Sequence, residues 1–145
     1  MTKLHSLSMI GLFIMASTLT GCAHRLSSVE DTNAQALIAT EQAWFQHLFA
    51  EDMETALTLV SEDFTSEAYP NKAALKQYMT LIIGSKLLNE ETLNTEGVVR
   101  KIEGTTAHVG PYTLKAHDHV FNFAFDFKRE EAGWRIIGMT WSKQE

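Results

Sequence analysis

Glu41 is the residue whose setting asks most of the chain. It sits inside an apolar stripe formed by Leu37, Ile38, Trp44, Phe45, Leu48 and Phe49, where an unpaired carboxylate would be costly to bury. Two chemistries fit that position. One is a pocket acid or base tuned by burial; the other is an internal brace, paired with a cavity-lining arginine or with a backbone or indole N–H. His117 and His119 flank Asp118 at i, i+2 and share a strand face with Phe121, which suits a pocket mouth. A two-histidine metal site with Glu41 as third ligand is the rarer use of that spacing, so no metal and no other cofactor is assigned. Trp44, Phe45, Tyr78 and Phe121 are the candidate pocket walls. Ser66 and Ser85 lack nucleophile-elbow glycines, and no Gly-rich phosphate loop follows a strand. The acids from Glu51 to Glu67 lack the glycine spacing of a calcium loop. His47 and His108 read as surface residues. No catalytic residue is assigned; in an enzyme, Glu41 would carry the chemistry.

These residues need elements to position them. The stripe around Glu41 predicts a helix from Thr32, with Ser28, Asp31, Thr32 and Asn33 as possible caps. Asp52 can cap a short helix, Met53 to Val60, and Phe64 to Ser66 is a short strand. Asn71 starts a third helix, Lys72 to Ile83, with Leu75, Met79, Ile82 and Ile83 inward and Gly84 as its stop. Beyond Gly84 the period becomes two. Strands are predicted at Thr92–Glu103, Thr105–Ala116, Asp118–Arg129 and Trp134–Ser142, with Phe121, Phe123, Phe125 and Phe127 on one face. Three helices followed by an antiparallel meander is an α+β order, and the long strands must curl around the helices. The last strand is apolar on both sides. Ile137, Met139 and Trp141 are therefore candidates for a homodimer or envelope-protein interface.

The first residues read as an address. Lys3 and His5 precede an uncharged apolar run, Leu7 to Leu19, too short for a membrane span. Leu19-Thr20-Gly21-Cys22 then resembles the lipobox of bacterial lipoproteins. That resemblance implies a signal peptide over residues 1–21, lipidation of Cys22, and a polar tether over residues 22–31 reaching at most ~30 Å. Ala23, where inner-membrane retention usually has Asp, implies the outer membrane, facing the periplasm. The chain has 18 acidic and 12 basic residues, a net charge of −6, and loss of Lys3 would make it one unit more negative. That balance argues against nucleic acid. The single cysteine excludes an internal disulfide.

Glu41-Gln42-Ala43-Trp44, Asp52, Ser61-Glu62-Asp63-Phe64 and Gly133-Trp134-Arg135-Ile136 recur in an order that resembles the nuclear-transport-factor-2-like superfamily. Its SnoaL-like and ketosteroid-isomerase-like branches are nearest. The resemblance spans Asn33 to Ser142 and assigns residues 32–145 to one domain. It implies a cone: three N-terminal helices packed on a curved antiparallel sheet, with an apolar pocket at the open end and frequent dimers through the outer sheet face. The isomerase branch implies an aspartate base, a tyrosine and a protonated acid; the matching positions hold Ala68, Trp44 and Phe125. Because the superfamily includes enzymes, binding modules and adaptors, fold does not fix activity. The expected function is a lipid-anchored domain binding a small apolar ligand or a protein partner. A SnoaL-like enzyme using Glu41, or a structural subunit of an envelope complex, are the alternatives.

Overall fold

The computed structural model describes residues 21–116 and 118–144, with side chains from residue 29 onward. The expected site residues Leu19, Thr20 and His117 lie outside the described residues, as does the Cys22 side chain. The first helix, α1, runs Gly21–Phe49. It begins earlier than predicted, so the segment expected as an extended tether is helical. No Gly or Pro interrupts the chain between Ala23 and Phe49, and Asp31 and Thr32 are exposed, so nothing there stops a helix. The nine residues from Ala23 to Asp31 rise ~14 Å in this form instead of ~30 Å. None of the described helices is long and apolar enough to cross a membrane.

Leu37, Glu41, Trp44, Phe45 and Leu48 are the buried face of α1, at the spacing of one helical stripe. The Asp52 carboxylate then accepts from the Thr55 N–H at 3.2 Å and caps α2, Met53–Leu57. This helix stops short of Val60, which instead bridges Ile136. The expected strand at Phe64–Ser66 does not form. The N–H groups of Ser61 and Thr65 donate to the carbonyls of Ile136 and Ile137, so this segment lines the edge of the sheet without regular pairing. Asn71 caps α3, Lys72–Gly84, which buries Leu75, Met79 and Ile83.

The sheet contains β1 (Leu93–Asn94), β2 (Val99–Glu103), β3 (Thr106–Ala116), β4 (His119–Glu130) and β5 (Gly133–Lys143). All pairs are antiparallel in the order β1-β3-β4-β5, and β2 shares the β3 edge with β1. The single strand predicted from Thr92 to Glu103 is thus two. A turn divides it, in which the Asn94 side chain accepts from the Glu96 N–H at 2.8 Å and Gly97 takes a left-handed φ of 80°. Helices first, then a curved antiparallel sheet, is the predicted α+β architecture.

Two bulges decide which side chains face inward. On β5 the register passes from Asp126↔Gly138 to Phe127↔Ile136, leaving Ile137 as the extra residue. Alternation reverses there, so Ile136 and Met139 both enter the core. Met139 is 3% exposed, and Trp141 packs on the core by stacking on Phe123 at 4.9 Å. The expectation that Met139 and Trp141 lie with Ile137 on an outer interface is therefore corrected; Ile137 alone of the three stays off the core. On β3 the register shifts between Val109 and Tyr112, and Gly110 and Pro111 let Val109 and Tyr112 both point inward.

Gly110 occupies a position with no room for a side chain. A Cβ there would lie 2.5 Å from the Ala124 Cβ and 3.0 Å from its Cα, atoms fixed to the neighbouring strand. Gly110→Ala should destabilise the fold by about 1–3 kcal/mol, the scale of overpacking. Thermal or urea unfolding measures this, and unchanged stability would show that β3 can move away from β4 at the bulge.

Candidate functional site

The centre of the site is an ion pair between α1 and β2. Arg100 grips Glu41 with two parallel hydrogen bonds: Nε donates to Oε2 and Nη2 to Oε1, each at 2.7 Å. This fork geometry is the strong form of an arginine–carboxylate contact. The Glu41 side chain is 5% exposed and that of Arg100 33%, so the acid is buried and the base reaches solvent. The hydrogen bonds to Glu41 raise the proton affinity of the guanidinium, and burial only partly opposes this. Tyr112 lies beside the pair without reaching hydrogen-bond geometry with it. Burial first, and then the Glu41 charge, push its phenol far above the ordinary tyrosine range. Of the two chemistries open to Glu41, the geometry matches the brace: both carboxylate oxygens are already engaged.

Inside the cone, aromatic side chains occupy the space. Trp44 meets Phe125 edge-on at 6.0 Å, Phe45 meets Tyr112 at 5.1 Å, and Tyr112 stacks on Phe123 at 5.1 Å. Trp44 and Tyr112 are wholly buried. Each such ring contributes about 1.5–3 kcal/mol by leaving water, which favours filling this volume over keeping it open.

The sequence-predicted candidates are not brought together. Glu41 and Phe45 line a groove on the flank of α1, whereas Trp44 belongs to the core. Tyr78 and Phe121 gather around Trp141 on the side of the core away from Glu41, where Tyr78 meets Tyr69 at 4.6 Å and Trp141 at 5.9 Å, and Phe121 meets Trp141 at 6.3 Å. Burial and the neighbouring Tyr78 raise the Tyr69 phenol well above its usual range. His119 is exposed at the start of β4, 6.3 Å from Phe121. Among the described residues no three His, Cys, Asp or Glu side chains are placed to hold a metal ion. His108, read as a surface residue, is exposed on the outer sheet face, where its Nδ1 contacts Asp126 Oδ1 at 2.7 Å beside Ile137 and a hollow of about 280 Å³.

The groove has a volume of about 590 Å³. Two helical ridges of α1 border it: Glu41, Phe45 and Phe49 at i, i+4, i+8, then Gln42, Gln46 and Ala50 one position further round. Leu93 and Thr95 of the β1 turn, Arg100 of β2 and Glu90 form the opposite wall. Sequence reasoning missed Arg100, which stands 59 positions from its partner in a mostly exposed strand. The available signal was scarcity: apart from Arg25, the arginines are Arg100, Arg129 and Arg135, all in strands. Arg129 and Trp134 are spent elsewhere on α1, donating to the side chain and backbone carbonyl of Asn33 at 2.8 and 3.2 Å.

Solved structures of similar shape decide the fold. A protein from Streptomyces avermitilis, provisionally named a dehydratase of the NTF2-like family, matches with a TM-score of 0.61 at 16% identity over 79% of this chain and 97% of its own. An NTF2-like protein with a cystatin-like fold from Novosphingobium aromaticivorans matches with a TM-score of 0.61 at 18% identity, over 90% of this chain and 92% of its own. The domain has the NTF2-like, cystatin-like fold. Bd1075 of Bdellovibrio bacteriovorus matches with a TM-score of 0.63 at 17% identity over 81% of this chain, which spans only 43% of that larger protein. No protein-family profile and no curated protein sequence matches the chain. At these identities the likeness concerns the NTF2-like fold alone, and activity has to be argued from the site.

The pair makes an asymmetric prediction. Arg100→Gln strands a carboxylate that cannot reach water and should cost about 3–5 kcal/mol in urea unfolding. Glu41→Gln leaves a guanidinium that can reach solvent and should cost less, about 1–3 kcal/mol. Equal costs at neutral pH would contradict a buried brace.

Proposed function

We propose that this chain is a lipid-anchored protein of the bacterial outer membrane, facing the periplasm, whose NTF2-like domain binds a small apolar ligand without converting it. One observation carries the non-catalytic part. The carboxylate best placed to act as acid or base is held by both oxygens in the Arg100 fork. A general base has to offer a lone pair to its substrate, and here each oxygen of a buried carboxylate already accepts one hydrogen bond from Arg100. The binding part is supported by the groove beside that pair, whose volume falls in the range of small-molecule sites. Its walls combine Phe45, Phe49 and Leu93 with a few polar side chains, the usual composition of a site that holds a ligand by burial and orients it by hydrogen bonds.

The anchor rests on Leu19-Thr20-Gly21-Cys22 following an apolar run. A helix continuing directly from that cysteine would hold the domain near the bilayer on a stiff stalk. A second reading, a dehydratase-type enzyme, is favoured by the provisional name of the Streptomyces avermitilis protein and by Tyr112 beside Glu41. It requires a substrate to reach a lone pair that the Arg100 fork leaves open on the buried Glu41. A protein partner or second copy at the outer sheet face would meet Ile137 without Met139 or Trp141.

Two measurements test the proposal. Cys22→Ser should move the chain out of the membrane fraction; retention there would remove the lipid anchor from the account. Native mass spectrometry of the chain released gently from membranes should show a retained small molecule. Ala50→Trp, an exposed change that fills the groove, should lose it. Equal retention by the variant would place the ligand elsewhere.

A further inference from the structure

We infer that the groove selects uncharged amphiphiles, with an apolar or aromatic body and a hydrogen-bonding hydroxyl, carbonyl or amide head, and that Arg100 does not act as an anion hook. The inference deepens the ligand-binding reading above and rests on it.

An exposed arginine at the end of an apolar groove ordinarily recruits carboxylates or phosphates. Here Nε and one Nη2 hydrogen are bound to Glu41, so both Nη1 hydrogens and the second Nη2 hydrogen remain to donate. The Glu41 charge also cancels the arginine charge at hydrogen-bond distance, so an arriving anion meets a neutral dyad. The other charged group on the wall is Glu90, which is exposed and forms no ion pair with a described residue. An anion would therefore face one net negative charge and no uncancelled positive one. A cation would be attracted by Glu90 alone, a solvated carboxylate worth little.

What remains is neutral recognition. Gln42 and Gln46 stand one turn apart on the outer ridge, and their amides make no hydrogen bond to any described residue. Each offers both a donor and an acceptor, so with Nη1 and the Thr95 hydroxyl they can satisfy a hydroxyl, carbonyl or amide head without a formal charge. Phe49, half-buried, and Leu93 give the groove its apolar surface, and the buried Phe45 ring backs Phe49 at 6.0 Å. A ligand body lying against Phe49 and Leu93 is within reach of the glutamine ridge and Arg100.

The test uses three fluorescent probes with one aromatic body: naphthylmethanol, naphthoate and naphthylmethylammonium, each titrated into the full chain. Naphthylmethanol should bind about tenfold more tightly than naphthoate and more tightly than the ammonium probe. Gln46→Lys should narrow the gap between alcohol and carboxylate, because its charge offsets that of Glu90. Naphthoate binding as tightly as the alcohol in the unaltered chain would overturn the inference and return Arg100 to the role of anion hook. Tightest binding of the ammonium probe would overturn it in favour of a cation site at Glu90. In both cases Ala50→Trp should still abolish binding, so the groove would survive as a ligand site. If no probe binds, or Ala50→Trp leaves all three affinities unchanged, the ligand-binding reading itself fails.

Discussion

A carboxylate in the middle of a buried helical stripe has to find a partner, and much of this structure follows from how Glu41 does so. The partner is delivered by β2 from far along the chain, and the planar guanidinium accepts only one orientation of the acid. The pair therefore fixes how far the flank of α1 stands from the β1–β2 edge. Side chains on either side of it fall into place accordingly: Trp44 and Phe45 turn into the aromatic interior, while Gln42 and Gln46 stay on the rim. The groove is the space left between a helix and a sheet edge held apart by one bidentate contact. The same contact that builds the site engages both oxygens of the carboxylate best placed for acid–base chemistry.

The cone of this NTF2-like domain is closed by its own side chains. Phe123 and Phe125 both point inward from β4, and the bulge at Gly110-Pro111 aims Tyr112 at them, so two strands and α1 converge on one aromatic cluster. A second cluster, Tyr69 with Tyr78 and Trp141, fills the side covered by α3. Volume that a fold of this shape can leave open for a substrate is spent on packing. The open volume then lies on the flank of α1 rather than in the interior, a difference made by side chains without altering the order of the elements.

Periodicity made the three helices, the caps at Asp52 and Asn71 and the inward row Phe121 to Phe127 legible in the sequence, because each is set by neighbours close along the chain. It failed where one residue changes parity. Ile137 looks like its neighbours in a run of apolar residues, and nothing local marks it as the bulge that turns Met139 and Trp141 inward. The break between β1 and β2 was signalled by Asn94 and Gly97 but masked by alternation on either side. The need of Glu41 for a partner was legible, down to an arginine as one option. Which arginine was not, since an ion pair between α1 and β2 depends on the tertiary path of the chain. The early start of α1 shows the converse limit: four possible capping residues in a row gave no single start, and an uninterrupted backbone carried the helix past all of them.

The central claim is that Glu41 and Arg100 act as one structural unit, and a double-mutant cycle on the two positions measures that directly. Urea unfolding of the unaltered chain, Glu41→Gln, Arg100→Gln and the double variant gives their coupling free energy. The account predicts a coupling near the upper end of the range for contacting residues, about 2–3 kcal/mol, with the double variant more stable than Arg100→Gln alone. Additivity within about 0.5 kcal/mol would contradict it, and would mean that Glu41 is free to serve the groove as an acid.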